Sequence, residues 1–131
     1  MSKVVLDASA LLAYLYEETG ADVVESAISM DSLISMVNWS EVLSKVCMNG
    51  GRIDDLVSKM SQKEFGKLTI ASMPEADAIQ IGKLYPKTKS LGLSLGDRAC
   101  LALGMRLEST ILTADTVWKN LNLGIQIVII R

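Results

Sequence analysis

Five short apolar runs, separated by segments with helical spacing, constrain this chain more than any other feature. Lys3-Val4-Val5-Leu6, Leu33-Ile34-Ser35-Met36, Leu68-Thr69-Ile70-Ala71, Thr110-Ile111-Leu112-Thr113 and Ile125 to Ile130 read as strands, rich in β-branched residues. They are apolar at most positions instead of alternating, the pattern of strands buried on both faces. Between them the period changes. Ala8, Leu11, Leu12 and Leu15 follow Asp7 at helical spacing, and Val24, Ala27 and Ile28 share one face of a helix over Ala21 to Ile28. Asn38 opens a helix with Val42, Leu43, Val46 and Cys47 on one side, stopped by Asn49-Gly50-Gly51, and an amphipathic helix runs from about Ile53 to Phe65. Pro74-Glu75 starts the helix that carries Ala78, Ile79, Ile81 and Leu84, and Lys87 to Gly92 is a polar connection. The helix after Asp97 carries Cys100, Leu103 and Leu107, and a short helix spans about Thr116 to Leu121. Strands alternating with helices predict an α/β fold, a three-layer α/β/α sandwich around a central, mainly parallel sheet. At 131 residues the expectation is a single domain over 1–131.

Composition removes several chemistries. The chain has no histidine, so Ser-His-Asp and Cys-His nucleophiles, an imidazole base and the usual His-bearing zinc sites are excluded. Cys47 and Cys100 both lie in apolar helical patterns and are expected to be small buried hydrophobes. Any catalysis must therefore rest on carboxylates. The net charge of −2 creates no global field that attracts nucleic acid, so a polyanionic substrate would need cations supplied locally. Half of the residues are hydrophobic, which leaves apolar surface for a partner to cover. The apolar stretch Ala8 to Tyr16 is too short for a membrane span, and no secretory leader is evident; the expected location is cytoplasmic.

Ligands of open parallel sheets bind where the strands end and the following helices begin. Four acids fall at such junctions. Asp7 follows the first strand, Glu41 lies early in the helix after the second, Asp97 begins the helix before the fourth, and Asp115 stands two residues beyond the fourth. Singly, each has a plain structural explanation. Asp97 and Asp115 suit helix caps, and Asn38-Trp39-Ser40-Glu41 reads as a capping box. Asp7 differs, because an ionised group among apolar neighbours needs a cation or several donors. Gathered carboxylates repel, and a hard divalent cation resolves that conflict; all-oxygen ligands suit Mg²⁺ or Mn²⁺. Such a site would serve metal-assisted hydrolysis of phosphodiesters in RNA or DNA, with one ion or two.

The segments "VVLDASALLAYLYEE", "VNWSEVLSK", "GLSLGDRACLALG" and "ILTADTVWKNL", followed by "IQIVIIR", resemble the PIN-domain family, and within it the VapC toxins of prokaryotic toxin–antitoxin pairs. The similarity spans essentially the whole chain. It implies an Mg²⁺- or Mn²⁺-dependent endoribonuclease, acting on RNA, with Asp7, Glu41, Asp97 and Asp115 as the acidic quartet that is both catalytic and metal-binding. It also implies Ser9 and Thr113 as supporting hydroxyls, a homodimer, and a VapB-like antitoxin that covers the site. Some members carry a further acid two residues past the last aspartate; Val117 stands there. Lys45, Arg98 and Lys119 are candidate RNA contacts or ordinary surface charges, and Trp39 and Trp118 either stack bases or pack in the core. Two other classes remain. One is a small-molecule phosphohydrolase with Asp7 as nucleophile, as in haloacid dehalogenases, which place an acid where Ser9 stands; the other is a non-catalytic PIN-like interaction module.

Overall fold

The computed structural model describes residues 3–131. Five strands, β1 (Val4–Leu6), β2 (Ser32–Ser35), β3 (Leu68–Ala71), β4 (Thr110–Thr113) and β5 (Ile127–Ile129), form one sheet in the order β3-β2-β1-β4-β5 with every pairing parallel. The helices are α1 (Ala8–Leu15), α2 (Ala21–Ile28), α3 (Met36–Met48), α4 (Ile53–Ser61), α5 (Glu75–Thr88) and α6 (Leu95–Leu107), with short 3-10 turns at Lys89–Leu91 and Thr116–Asn120. Alternate strand residues feed two cores. Leu6, Ile34 and Leu112 pack with α1, α2, α3 and α4, whereas Val5 and Ile111 pack with α5 and α6. The sheet is thus covered on both faces, which is why its strands lack a polar side and read as continuous apolar runs. Gly104 lets α6 lie close to β4, because a Cβ there would come within 2.4 Å of the Ile111 side chain.

Several boundaries differ from the sequence expectation. The helix after β2 begins at Met36, capped by Ser35 and not by Asn38. The helix before β4 begins at Leu95 with Ser94 as its cap, so Asp97 sits inside the first turn. The expected polar connection from Lys87 is still helix up to Thr88: Thr88 is fully buried and its hydroxyl donates to the Leu84 carbonyl at 2.9 Å, holding the turn despite Pro86. The helix from Ile53 ends at Ser61, and the last strand is only Ile127–Ile129. Cys100 is buried as expected, but Cys47 is exposed. The five-residue step from buried Val42 turns Cys47 about 140° round the helix, away from the core. No helix among the described residues is long and apolar enough to cross a membrane.

Candidate functional site

The chain builds β1, β2 and β3 outward in one direction and then returns to place β4 on the other side of β1. The β1–β4 seam is therefore the point where strand order reverses, and the carboxyl ends there flank a natural crevice. Register pairs Leu6 with both Ile34 and Leu112, so the next residues, Asp7, Ser35 and Thr113, stand level at that edge. The Asp7 amide continues the ladder by donating to the Leu112 carbonyl at 3.1 Å.

Asp7 is 4% exposed and caps α1. Its carboxylate accepts from the Ala10 amide at 2.8 Å, from the Ser9 hydroxyl at 2.7 and 2.9 Å, and from the Thr113 hydroxyl. The two hydroxyls tie β1 to the chain beyond β4, since Ser9 Oγ accepts from the Ala114 amide at 2.9 Å and Thr113 Oγ1 from the Asp115 amide at 3.1 Å. Burial pushes the Asp7 pKa up to about 6 from 3.8; the bonds from Thr113, Ala10 and Ser9 pull it down, and the charge of Asp97 adds a smaller upward push. Cys100, buried nearby, has its thiol pKa raised by burial first and then by the charges of Asp7, Asp97 and Glu41. Three of the four acids are therefore within electrostatic reach of one point.

Glu41 is placed by a residue that sequence reasoning took for a cap. Asn38 is buried at 1% exposure; its amide donates to Glu41 Oε1 at 2.8 Å and to the Gly96 carbonyl at 2.9 Å, while its oxygen accepts from Ser35 Oγ. With Ser35 as the cap, Glu41 lies beyond the first turn and caps nothing, which frees its carboxylate for the crevice. The carboxylate rests on Gly96, where a Cβ would approach Oε2 to 2.4 Å and both Cδ and Oε1 to 2.5 Å. Asn38 and Gly96 are site residues that the spacing argument missed. The available signals were an asparagine one helical turn before an acid and a glycine where alanine would favour the helix.

Asp97 and Asp115 each have two connections. Asp97 Oδ2 accepts from the Ser94 amide at 2.9 Å as half of a capping box, and Asp115 Oδ1 accepts from the Val117 amide at 3.0 Å. Both also line, with Asp7, Glu41, Ser9 and Lys45, one cavity of 330 Å³. Among the described residues none of these acids forms an ion pair; the pairs present are Arg106–Asp77 and Arg131–Glu18. Nor do three of the carboxylates already stand in a closed coordinating group. An open all-oxygen donor set fits Mg²⁺ or Mn²⁺ nonetheless, because Mg²⁺ keeps several waters and takes only one or two carboxylates directly. The donor chemistry, anionic oxygens without nitrogen or sulfur, passes the same test.

The other candidates separate. Lys45 lines the cavity. Arg98 does not: its guanidinium donates to the Ile81 carbonyl at 2.9 Å and lies 5.3 Å from the centre of the Tyr85 ring, joining α6 to α5. Lys119 is exposed on the second 3-10 turn, outside the cavity lining. Trp39 and Trp118 are buried in the two cores.

The PIN domain model matches residues 4–122. No curated protein matches the chain at a significant level. Among solved structures, a toxin–antitoxin complex from Klebsiella pneumoniae is similar at 15% identity and a TM-score of 0.75, covering 98% of this chain and 98% of that one. The DNA-bound VapBC from Salmonella typhimurium aligns at 13% identity and a TM-score of 0.70, again covering 98% of each chain. PAE2754 from Pyrobaculum aerophilum aligns at 17% identity and 0.62, covering 97% of this chain and 90% of that one. With the family model spanning nearly its whole length and these structures sharing its fold, the chain belongs to the PIN-domain family.

Proposed function

We propose that this single-domain chain is a Mg²⁺- or Mn²⁺-dependent endoribonuclease, the toxin of a VapBC-type pair. The observation that carries the reading is the meeting of Asp7, Glu41, Asp97 and Asp115, from four separate segments, around one cavity without a pairing cation among the described residues. These four carboxylates would hold one or two ions, which supply an activated water and offset charge on the phosphodiester. The chain's own work is positioning. Thr113, Ser9 and the Ala10 amide hold Asp7 and favour its charged form against burial. Asn38 holds Glu41, and Lys45 on the rim meets the phosphate backbone. Asp7 as a phosphoryl-accepting nucleophile is disfavoured, because Ser9 stands where that reading needs a second acid, and its hydroxyl is engaged by Asp7 and the Ala114 amide. Similar folds occur in the Klebsiella pneumoniae toxin–antitoxin complex and in the Salmonella typhimurium VapBC, which supports a VapB-like antitoxin as partner. A homodimer would cover part of the apolar surface that the chain leaves exposed, which includes Met36, Ile79 and Leu95.

Purified chain incubated with single-stranded RNA should cleave it in Mn²⁺ or Mg²⁺ and not in chelator. Asp7→Asn and Asp97→Asn should each abolish cleavage while circular dichroism remains native. Full activity in either folded variant refutes the assignment.

A further inference from the structure

A second cavity opens beside the acids. Ser9, Leu12 and Tyr16 are three and four residues apart and share one face of α1 and its C-terminal cap, while Glu41, Lys45 and Asn49 repeat every four residues along α3. Glu41 lines only the acidic cavity; the first stripe, with Lys45 and Asn49 of the second, lines a cavity of 440 Å³ that shares Ser9, Leu12 and Lys45 with the acidic one. Its far end is closed where the Asn49 amide donates to the Tyr16 hydroxyl at 3.1 Å. From Glu41 to Asn49 the helix rises about 12 Å, enough for one nucleotide beyond the reacting phosphate. Tyr16 is 42% exposed, whereas Tyr14 two residues earlier packs edge-on against Phe65 at 6.3 Å. One aromatic ring is thus left open at the end of a channel whose entrance carries an exposed lysine without an ion pair among the described residues. Arg131, paired with Glu18 at 3.0 Å, adds a second cation to the wall.

We propose that this cavity is a subsite for the nucleotide adjoining the scissile phosphate of single-stranded RNA, with Lys45 on its phosphate and the Tyr16 ring stacked on its base. Resting on the endoribonuclease reading, it deepens that reading. Charge favours this occupant: Arg131 and Glu18 offset each other, and Lys45 remains as the cation that receives the backbone as it leaves the acids. Stacking on one tyrosine tolerates every base, and the Asn49 amide beside the ring can read a base edge.

The test uses the full chain carrying Asp97→Asn, so that RNA persists, and measures fluorescence anisotropy of a labelled six-nucleotide single-stranded RNA in Mg²⁺. Adding Tyr16→Ala should weaken binding roughly 5- to 100-fold, whereas Tyr16→Phe, which keeps the ring, should bind as the parent does. Adding Lys45→Ala should lower the salt slope of log K by about 0.7. Parental affinity and salt slope in both Tyr16→Ala and Lys45→Ala, with cleavage intact in the otherwise unaltered chain, overturn the subsite and leave the nuclease reading standing. Tyr16→Ala that weakens only a protein partner, not RNA, assigns the cavity to that partner and also overturns it. Failure of the unaltered chain to cleave RNA in Mn²⁺ sinks the parent reading and the subsite together.

Discussion

Gly96→Ala separates the positioning of Glu41 from the stability of the fold. The new Cβ would lie 2.4 Å from Glu41 Oε2 and 2.5 Å from Cδ and Oε1, against roughly 3.5 Å for comfortable contact, so the carboxylate must retreat by about 1 Å. It can do so, because it ends a flexible side chain, but it then leaves the amide of Asn38, now 2.8 Å away. Losing a hydrogen bond to a charged group costs about 1.5–3 kcal/mol, and replacing glycine by alanine inside a helix returns about 0.8–1 kcal/mol. Glu41 is only half-buried, so the low end applies, and the net destabilisation should be roughly 0.6 kcal/mol. That is a few degrees in Tm for a domain of this size. Activity should respond far more, since misplacing a reacting-site group by about 1 Å can cost on the order of 100-fold. Thermal unfolding in chelator, Mn²⁺ titration calorimetry and single-turnover RNA cleavage read the three quantities separately. Wild-type cleavage with unchanged Mn²⁺ affinity would show that the position of Glu41 is irrelevant and refute the reasoning.

Two further predictions concern Asp7. Its pKa is raised from 3.8 to about 6, so the ionised form is disfavoured in the folded chain by roughly 3 kcal/mol. The sign follows: the penalty is absent below about pH 4, grows as the carboxyl ionises, and is complete above about pH 6. Asp7→Asn should therefore stabilise metal-free protein at pH 7.5 by up to about 3 kcal/mol, less the cost of seating an amide among the same donors, and hardly at pH 4; urea unfolding in chelator that shows equal effects at both pH values contradicts this. Thr113→Val removes the largest downward influence on the same carboxyl, so the acidic limb of the pH–rate profile should move to higher pH. Ser9→Ala should move it in the same direction by less, and an unmoved limb in Thr113→Val would dissociate Asp7 from the ionisation that controls rate.

The layers and the edge at which the acids gather were legible because they rest on local signals. Short apolar runs gave the buried strands, and a change of period at Asp7 and beyond Thr113 marked the junctions. Glu41 was harder. Asn38 to Glu41 and Ser35 to Asn38 are overlapping frames that both fit a cap followed three residues later by a polar group, and local chemistry does not choose between them. The choice is made 58 residues away, where the Gly96 carbonyl takes one hydrogen of the Asn38 amide. Ser94 and Asp97 pose the same ambiguity; the structure keeps both, one as cap and one as its reciprocal partner. Cys47 shows a different limit, since an apolar stripe broad enough to include Val42, Leu43 and Val46 does not say where the buried arc ends.

Capping and metal binding are therefore not rival explanations of these acids. Asp97 accepts at Oδ2 from the Ser94 amide, Asp115 at Oδ1 from the Val117 amide, and Glu41 at Oε1 from the Asn38 side-chain amide, while the second oxygen of each carries no intramolecular hydrogen bond among the described residues. Each carboxylate is fixed by one oxygen, and all three residues line the shared cavity. The rotamer entropy that ordering these polar side chains would cost on binding a cation is thus spent during folding, for Asp97 and Asp115 by contacts that also stabilise the starts of their helical turns. Asp7 is the exception, with both oxygens bonded and its charge opposed by burial, so it is the member of the quartet whose ionisation the fold resists and a bound cation would favour most.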